Sequence, residues 1–198
     1  MKRLALVGGI VLVPLGWALA RLGMTGHMAA HMIAVALAAP LIAFGITGTR
    51  LDPARRWPRV VTPMAMMLLE LVTVWGWHLP ALRSLASASM LAAALEQFCF
   101  LAAGLLLWSA AMRAGRRAAG VGALLLTSMH MTLLGVLIGL APRPLYGTAS
   151  HNLFPGLDAL ADQQLGGVVM LLIGAGSYLA GGLALLSGLL HEDGAERA

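Results

Sequence analysis

The sequence predicts an all-α polytopic membrane protein. It reads as a helical bundle of about six transmembrane helices, both termini cytoplasmic, in one integral membrane domain over residues 1–198. Three observations predict it. The chain is 60% hydrophobic and only 11% charged, where a soluble domain carries about a quarter charged residues. Its apolar residues come in long blocks, not at amphipathic spacing. Its basic residues alternate from loop to loop, heavy on one side and light on the other.

The apolar blocks fall at about 4–20, 24–46, 60–77, 88–112, 120–140 and 165–190. Most are long enough to cross a hydrocarbon core of about 30 Å at about 1.5 Å per residue. The first and third are near the lower limit. In lipid each backbone must satisfy its own hydrogen bonds, so these blocks are read as helices. The N-terminal block has a second reading. Lys2 and Arg3, an apolar run and Ala18-Leu19-Ala20 resemble a cleavable signal peptide. The loop charges favour a retained helix, because the alternation works only if this block spans.

Ten basic residues fall on one side: Lys2, Arg3, Arg50, Arg55, Arg56, Arg59, Arg113, Arg116, Arg117 and Arg197. Three fall on the other: Arg21, Arg83 and Arg143. The richer side is expected in the cytoplasm. The longest loop, about 141–164, then faces outward; it opens APRPLYG, whose prolines forbid a regular helix. Asp158 and Asp162 are expected at the start of the last helix. The net charge of +5 serves topology in short clusters, so nucleic acid is not an expected partner. The single Cys99 excludes an intrachain disulfide.

Polar groups inside apolar blocks are expensive and point to function. In HMAAHM, His27 and His31 stand four apart, on one face of a helix. With Met24, Met28 and Met32 beside them they suit a soft or borderline metal such as copper. The alternative is an interfacial anchor that hydrogen-bonds a neighbouring helix. His78, in WGWHLP, closes the third block, either as a ligand or as part of an aromatic belt with Trp75 and Trp77. Glu70, Glu96 and His130 lie deeper and are expected to turn toward a common polar interior. The carboxylates have a second reading as interhelical hydrogen-bond glue. Cys99, three residues after Glu96, is a small buried hydrophobe by default and a ligand in the minority reading. Asp162 is either a ligand or a complement to the dipole of the last helix. His151 and Asp158 read as solvated loop residues. No HExxH, GxSxG, Walker loop or CxxCH is present.

The segments HMAAHM, WGWHLPAL, ALEQFCFLAAGLLLW, LLGVLIGLAPRPLYG and DQQLGGVVM occur in that order. Together they resemble the polytopic CtaG family of cytochrome c oxidase assembly factors, the type associated with caa3 oxidases. The resemblance runs over about 27–186, with APRPLY and DQQLGG as its more specific parts. It implies a role in maturing the oxidase by supplying copper to its membrane-embedded binuclear centre. It points to His27, His31, His78 and the segment Asp162-Gln163-Gln164. Where the family commonly shows Glu-His, this chain has Glu96-Gln97. If that His is a ligand elsewhere, Cys99 or His130 is left to compensate.

The expectation is thus a multi-pass protein of the bacterial inner membrane that binds copper, as Cu(I), at its outer face. The candidate ligands are His27, His31, His78, His130, Glu96, Cys99 and Asp162. Its partners would be the oxidase catalytic subunit, membrane lipid and a periplasmic copper donor. Ligand exchange suffices for delivery, so no enzymatic activity is expected. The rival readings are a bis-histidine haem protein using His31 and His130, a copper transporter or resistance protein, and a metal-free scaffold for oxidase subunits.

Topology can be checked directly. Reporter fusions near Arg55 and Arg116 are expected to read as cytoplasmic, and fusions near Arg83 and Ser150 as external. A cytoplasmic signal near Ser150 would remove the outward-facing site.

Overall fold

The computed structural model describes residues 1–113, 115–147 and 151–196, the last five of these by backbone alone. Arg197, counted above, and Ser150, the fusion point, lie outside the described residues. All regular structure within them is helical. Five helices are long and apolar enough to cross a membrane: α1 (Lys2–Leu19), α2 (Gly23–Ile46), α5 (Met90–Ala111), α6 (Arg117–Gly139) and α7 (Ala159–His191). A sixth crossing needs α3 (Pro63–Trp77) and α4 (Pro80–Ala88) together, and these are bent by 70°. The expected count of about six therefore stands, with one span broken.

The break has a local cause. Pro80 opens α4 at its first turn, so Leu79 is extended and the helix cannot continue through it. Residues 80–88, expected to divide between an outer loop and the next span, instead form α4 across the end of the bundle. The last helix starts at Ala159, six residues ahead of its apolar block at 165 and where Asp158 and Asp162 were expected to begin it. Asp158 caps it, its carboxylate accepting from Ala161 N at 2.8 Å. The preceding loop is shorter by the same margin.

The basic clusters meet in space. Lys2 Nζ donates to Thr47 O at 3.0 Å, and Arg113 donates to Ala54 O at 3.2 Å. Asp52 caps the single turn Pro53–Arg56 between them, accepting from Ala54 N at 3.0 Å. One end of the bundle thus gathers the basic segments around 2, 47–59 and 113. The other end carries the segments 20–22, 78–90, 140–147 and 151–158.

Small residues set the helix spacing, as apolar surface has little reason to avoid lipid. At the α6–α7 crossing, Gly135 and Gly139 face Gly167. A Cβ on Gly167 would lie 2.5 Å from Gly139 N and 2.7 Å from Gly135 O, backbone against backbone. Both α2 and α7 carry a π segment, Ile33–Ala38 and Met170–Ala175. Side chains take up backbone carbonyls there. Val35 O accepts from Trp108 Nε1 at 3.0 Å and from the Tyr178 hydroxyl at 3.3 Å. Ala175 O accepts from Ser128 Oγ at 2.8 Å. This is the form in which lipid tolerates an irregular helix.

Gly167→Ala is expected to cost ~1–3 kcal/mol, the range for overpacking. Gly122→Ala, on α6 with nothing within 4 Å of its added Cβ, should be neutral or stabilising. Thermal melts of the two variants in detergent check the pair.

Candidate metal centre

The four-residue spacing in α2 does what the sequence suggests. His27 and His31 lie one turn apart and are both fully buried, at 0% exposure. The interfacial-anchor reading therefore fails for both. His78, at the C-terminal end of α3 where the chain breaks, is buried against them. Its ring centroid lies 5.4 Å from that of His27 and 5.3 Å from that of His31. It is not an aromatic-belt residue. Phe100, from α5, fills the space among the three rings and stacks on His31 at 4.0 Å with a 19° interplanar angle.

These imidazoles are short of partners. Both ring nitrogens of His27, both of His31 and both of His130 have no hydrogen-bond partner. His78 is different: its Nδ1 donates to Val74 O at 2.6 Å, leaving Nε2 buried and unpartnered. A carbonyl can only accept, so Nδ1 carries the proton and Nε2 keeps its lone pair. An unsatisfied buried polar atom costs about 1–3 kcal/mol. A cluster of such atoms makes this a candidate site for a ligand. His130, on α6, is buried and within electrostatic reach of His31.

The rings do not yet converge. Among the described residues, no three His, Cys, Asp or Glu side chains meet at metal-binding geometry. Turning His27 or His31 breaks no hydrogen bond, and the stack of Phe100 on His31 is what opposes it. The residues fit an imidazole-bound metal in donor type and in unmet demand, and they need side-chain rotation to close on it.

The carboxylates separate. Glu96 is buried and accepts two contacts from one nitrogen of Arg83, at 2.8 and 2.6 Å. Its Oε2 also stands 3.7 Å from His27 Nδ1. Glu70 belongs to a different, deeper cluster: it accepts from the Tyr178 hydroxyl, which also reaches Val35 O. The expected single polar interior is thus two. Cys99 is half-buried on the flank of α5, beside the face that carries Glu96 and Phe100.

Asp162 is buried in the first turn of α7, but it serves α2. Its carboxylate accepts from Met24 N at 2.5 Å and Thr25 N at 3.2 Å, while Thr25 Oγ1 donates back to Asp162 O at 2.9 Å. It complements the dipole of the helix that carries the histidines as well as that of its own, in whose first turn it stands. Gly23 makes this possible: its φ is +71°, and a Cβ there would lie 2.6 Å from Asp162 Oδ2. Gln163 beside it clamps the preceding loop to the end of α6, accepting from Leu145 N at 2.6 Å and donating to Ile138 O at 3.2 Å. Tyr146 in that loop donates to His78 O at 2.9 Å. Burial pushes its phenol up to about 12, so it stays a neutral donor.

The family model for the cytochrome c oxidase caa3 assembly factor matches residues 4–192. The chain belongs to that family. No curated protein and no solved structure matches it. The match covers every helix of the bundle, so the imidazole cluster lies within a caa3 assembly factor.

Position 97 has a particular interest in this assembly factor. Gln97 is buried at 3% exposure, with both amide atoms unpartnered. The chain keeps a polar side chain here, next to Glu96. Sequence reasoning missed Phe100, Arg83, Tyr146 and Tyr178. Phe100 had a usable signal, lying one turn beyond Glu96 and Gln97 on the same helix face.

The capping role of Asp162 can be separated from ligation. Asp162→Ala should cost about 1–3 kcal/mol, through lost caps and stranded N–H groups. Asp162→Asn keeps one side-chain oxygen to accept from the first N–H groups of α2, so it should hold the histidines in place and leave any metal binding by the cluster unchanged. Metal loss in fully folded protein would return Asp162 to the ligand set.

Proposed function

We propose that this assembly factor carries copper, as Cu(I), at the His27–His31–His78 cluster and delivers it to the catalytic subunit of the oxidase. The binuclear centre is the destination, and the bacterial inner membrane is the location. The site would open to the outer face, where a periplasmic donor could load it. Exchange of ligands moves the ion, so no bond-making chemistry is required of the protein.

One observation carries this reading: three imidazoles from two helices are buried together with unpartnered nitrogens. Neutral imidazole nitrogen is a good donor for copper, and a soft ion tolerates an apolar surround. His78 supplies Nε2 from a ring already oriented by Val74 O. His27 and His31 supply nitrogens from rings free to turn. His130 is the nearest reserve, and methionines of α2 add soft donors near the same face.

His27→Ala and His31→Ala should each weaken copper binding by more than about tenfold and leave oxidase short of active-site copper, while the protein still inserts. His191→Ala is the control, because that ring is exposed and bonded to Ser187 O at 2.7 Å. Excess copper in the medium should partly restore the oxidase. Metal analysis of the purified protein and haem–copper spectra of the oxidase check this. Full copper and normal oxidase in both variants would overturn the proposal.

A further inference from the structure

A cleft of about 780 Å³ opens at the histidine end of the bundle. Arg21, Arg83, Glu96 and Tyr146 contribute to its walls. The clustered imidazoles of His27, His31 and His78 do not line it, although His151 does. What stands between the cleft and His27 is the Arg83–Glu96 pair. Glu96 Oε2 is shared, with Arg83 at 2.6 Å on the cleft side and His27 Nδ1 at 3.7 Å on the inner side.

That arrangement has an electrostatic consequence. A guanidinium is charged at any working pH and cannot be neutralised by losing a proton. Placed on Glu96, it cancels the carboxylate that would otherwise attract a cation to His27. It also adds a positive charge beside the imidazoles, in a region where burial weakens screening. Arg83 is carried by Pro80–Ala88, the short helix that lies across the bundle end after the 70° break. Its side chain borders a cleft large enough to receive it.

We propose that Arg83 is a latch on the metal site: its guanidinium competes with the metal cation for Glu96, and the ion passes from the cleft to His27 as Arg83 leaves the carboxylate. This rests on copper binding at the imidazole cluster and adds its regulation. A partner that engages Arg83 from the cleft would open the site, and one that releases it would close it. No bond is made or broken beyond exchange of ligands, and charge is balanced because one cation replaces another at Glu96.

The test is competitive Cu(I) titration of the full-length protein in detergent against a chromogenic chelator. Five forms are compared: wild type, Arg83→Gln, Arg83→Lys, Arg83→Gln/Glu96→Gln and Arg83→Gln/His27→Ala. The latch predicts that Arg83→Gln binds Cu(I) about tenfold more tightly or better, from the loss of one nearby charge. Arg83→Lys, which keeps the charge, should stay close to wild type and shows that the position tolerates change. The double variant should lose the gain, because the gain needs the freed carboxylate. His27→Ala in the Arg83→Gln background should abolish binding. If wild type binds through His27 and Arg83→Gln is unchanged or weaker, the latch fails and the copper site stands. If wild type takes no Cu(I) but Arg83→Gln does, the latch is supported in its closed form. If neither binds, the copper site and the latch fall together.

Discussion

The carboxylate of Asp162 on the first turn of α2 is the contact on which the centre depends. A helix that begins inside a bundle leaves its first N–H groups without partners, and in an apolar surround those groups cannot turn to water. Here two of them donate to a carboxylate from another helix, and a threonine hydroxyl returns a bond to that helix's backbone. The pairing fixes both the height and the rotation of α2 against α7. Once they are set, residues 27 and 31 have one direction to face, and it is toward the end of α3. A negative charge at this point is also favoured by the helix dipole. The same interaction therefore stabilises the helix and aims its histidines.

The π segments extend this control deeper. Val35 lies one turn below His31, and its carbonyl takes bonds from Trp108 and Tyr178. Tyr178 in turn reaches Glu70 on α3. So α2, α3, α5 and α7 are tied at a level below the imidazoles by a run of hydrogen bonds, although Glu70 Oε2 has no partner. Above them both ring nitrogens of His27 and of His31 are unpartnered. The difference is one of degree: the deeper groups each make at least one bond, and these two rings make none. Poor packing does not explain the difference, because Phe100 fills the space among the rings.

Much of the architecture was legible because hydrophobic spans are a local property. Each block is long, apolar and bounded by charge, and the match between block and helix follows from backbone hydrogen bonding alone. The pairing of His27 with His31 was legible for the same reason, since four residues make one turn. The failures have two sources. The 70° break follows from Pro80, a local signal whose effect on helix direction needs the packing of α4 to become visible. Arg83 was read as a loop charge serving topology, yet it is bonded to Glu96. Asp162 stands in the first turn of its own helix, as one reading had it, but it also caps another helix. The last two are contacts between residues distant in the chain, which periodicity and spacing do not encode.

The geometry also bears on how a carrier could give its ion up. A storage site gains from a complete, pre-formed ligand shell, but a delivery site must release what it holds. Here the ligand set is partial by construction. One ring is oriented by a backbone bond, two can rotate, an aromatic ring stacks against one of them, and a charged side chain occupies the nearest carboxylate. Each feature weakens binding without removing a donor. In the copper-carrying role proposed above, closing the rings on an ion would require undoing the Phe100 stack and the Arg83 pair. Release would be helped by re-forming both. Stored in this way, the cost of loading would become part of the driving force for transfer, so in that role the apolar wall and the guanidinium would serve delivery as the imidazoles would serve capture.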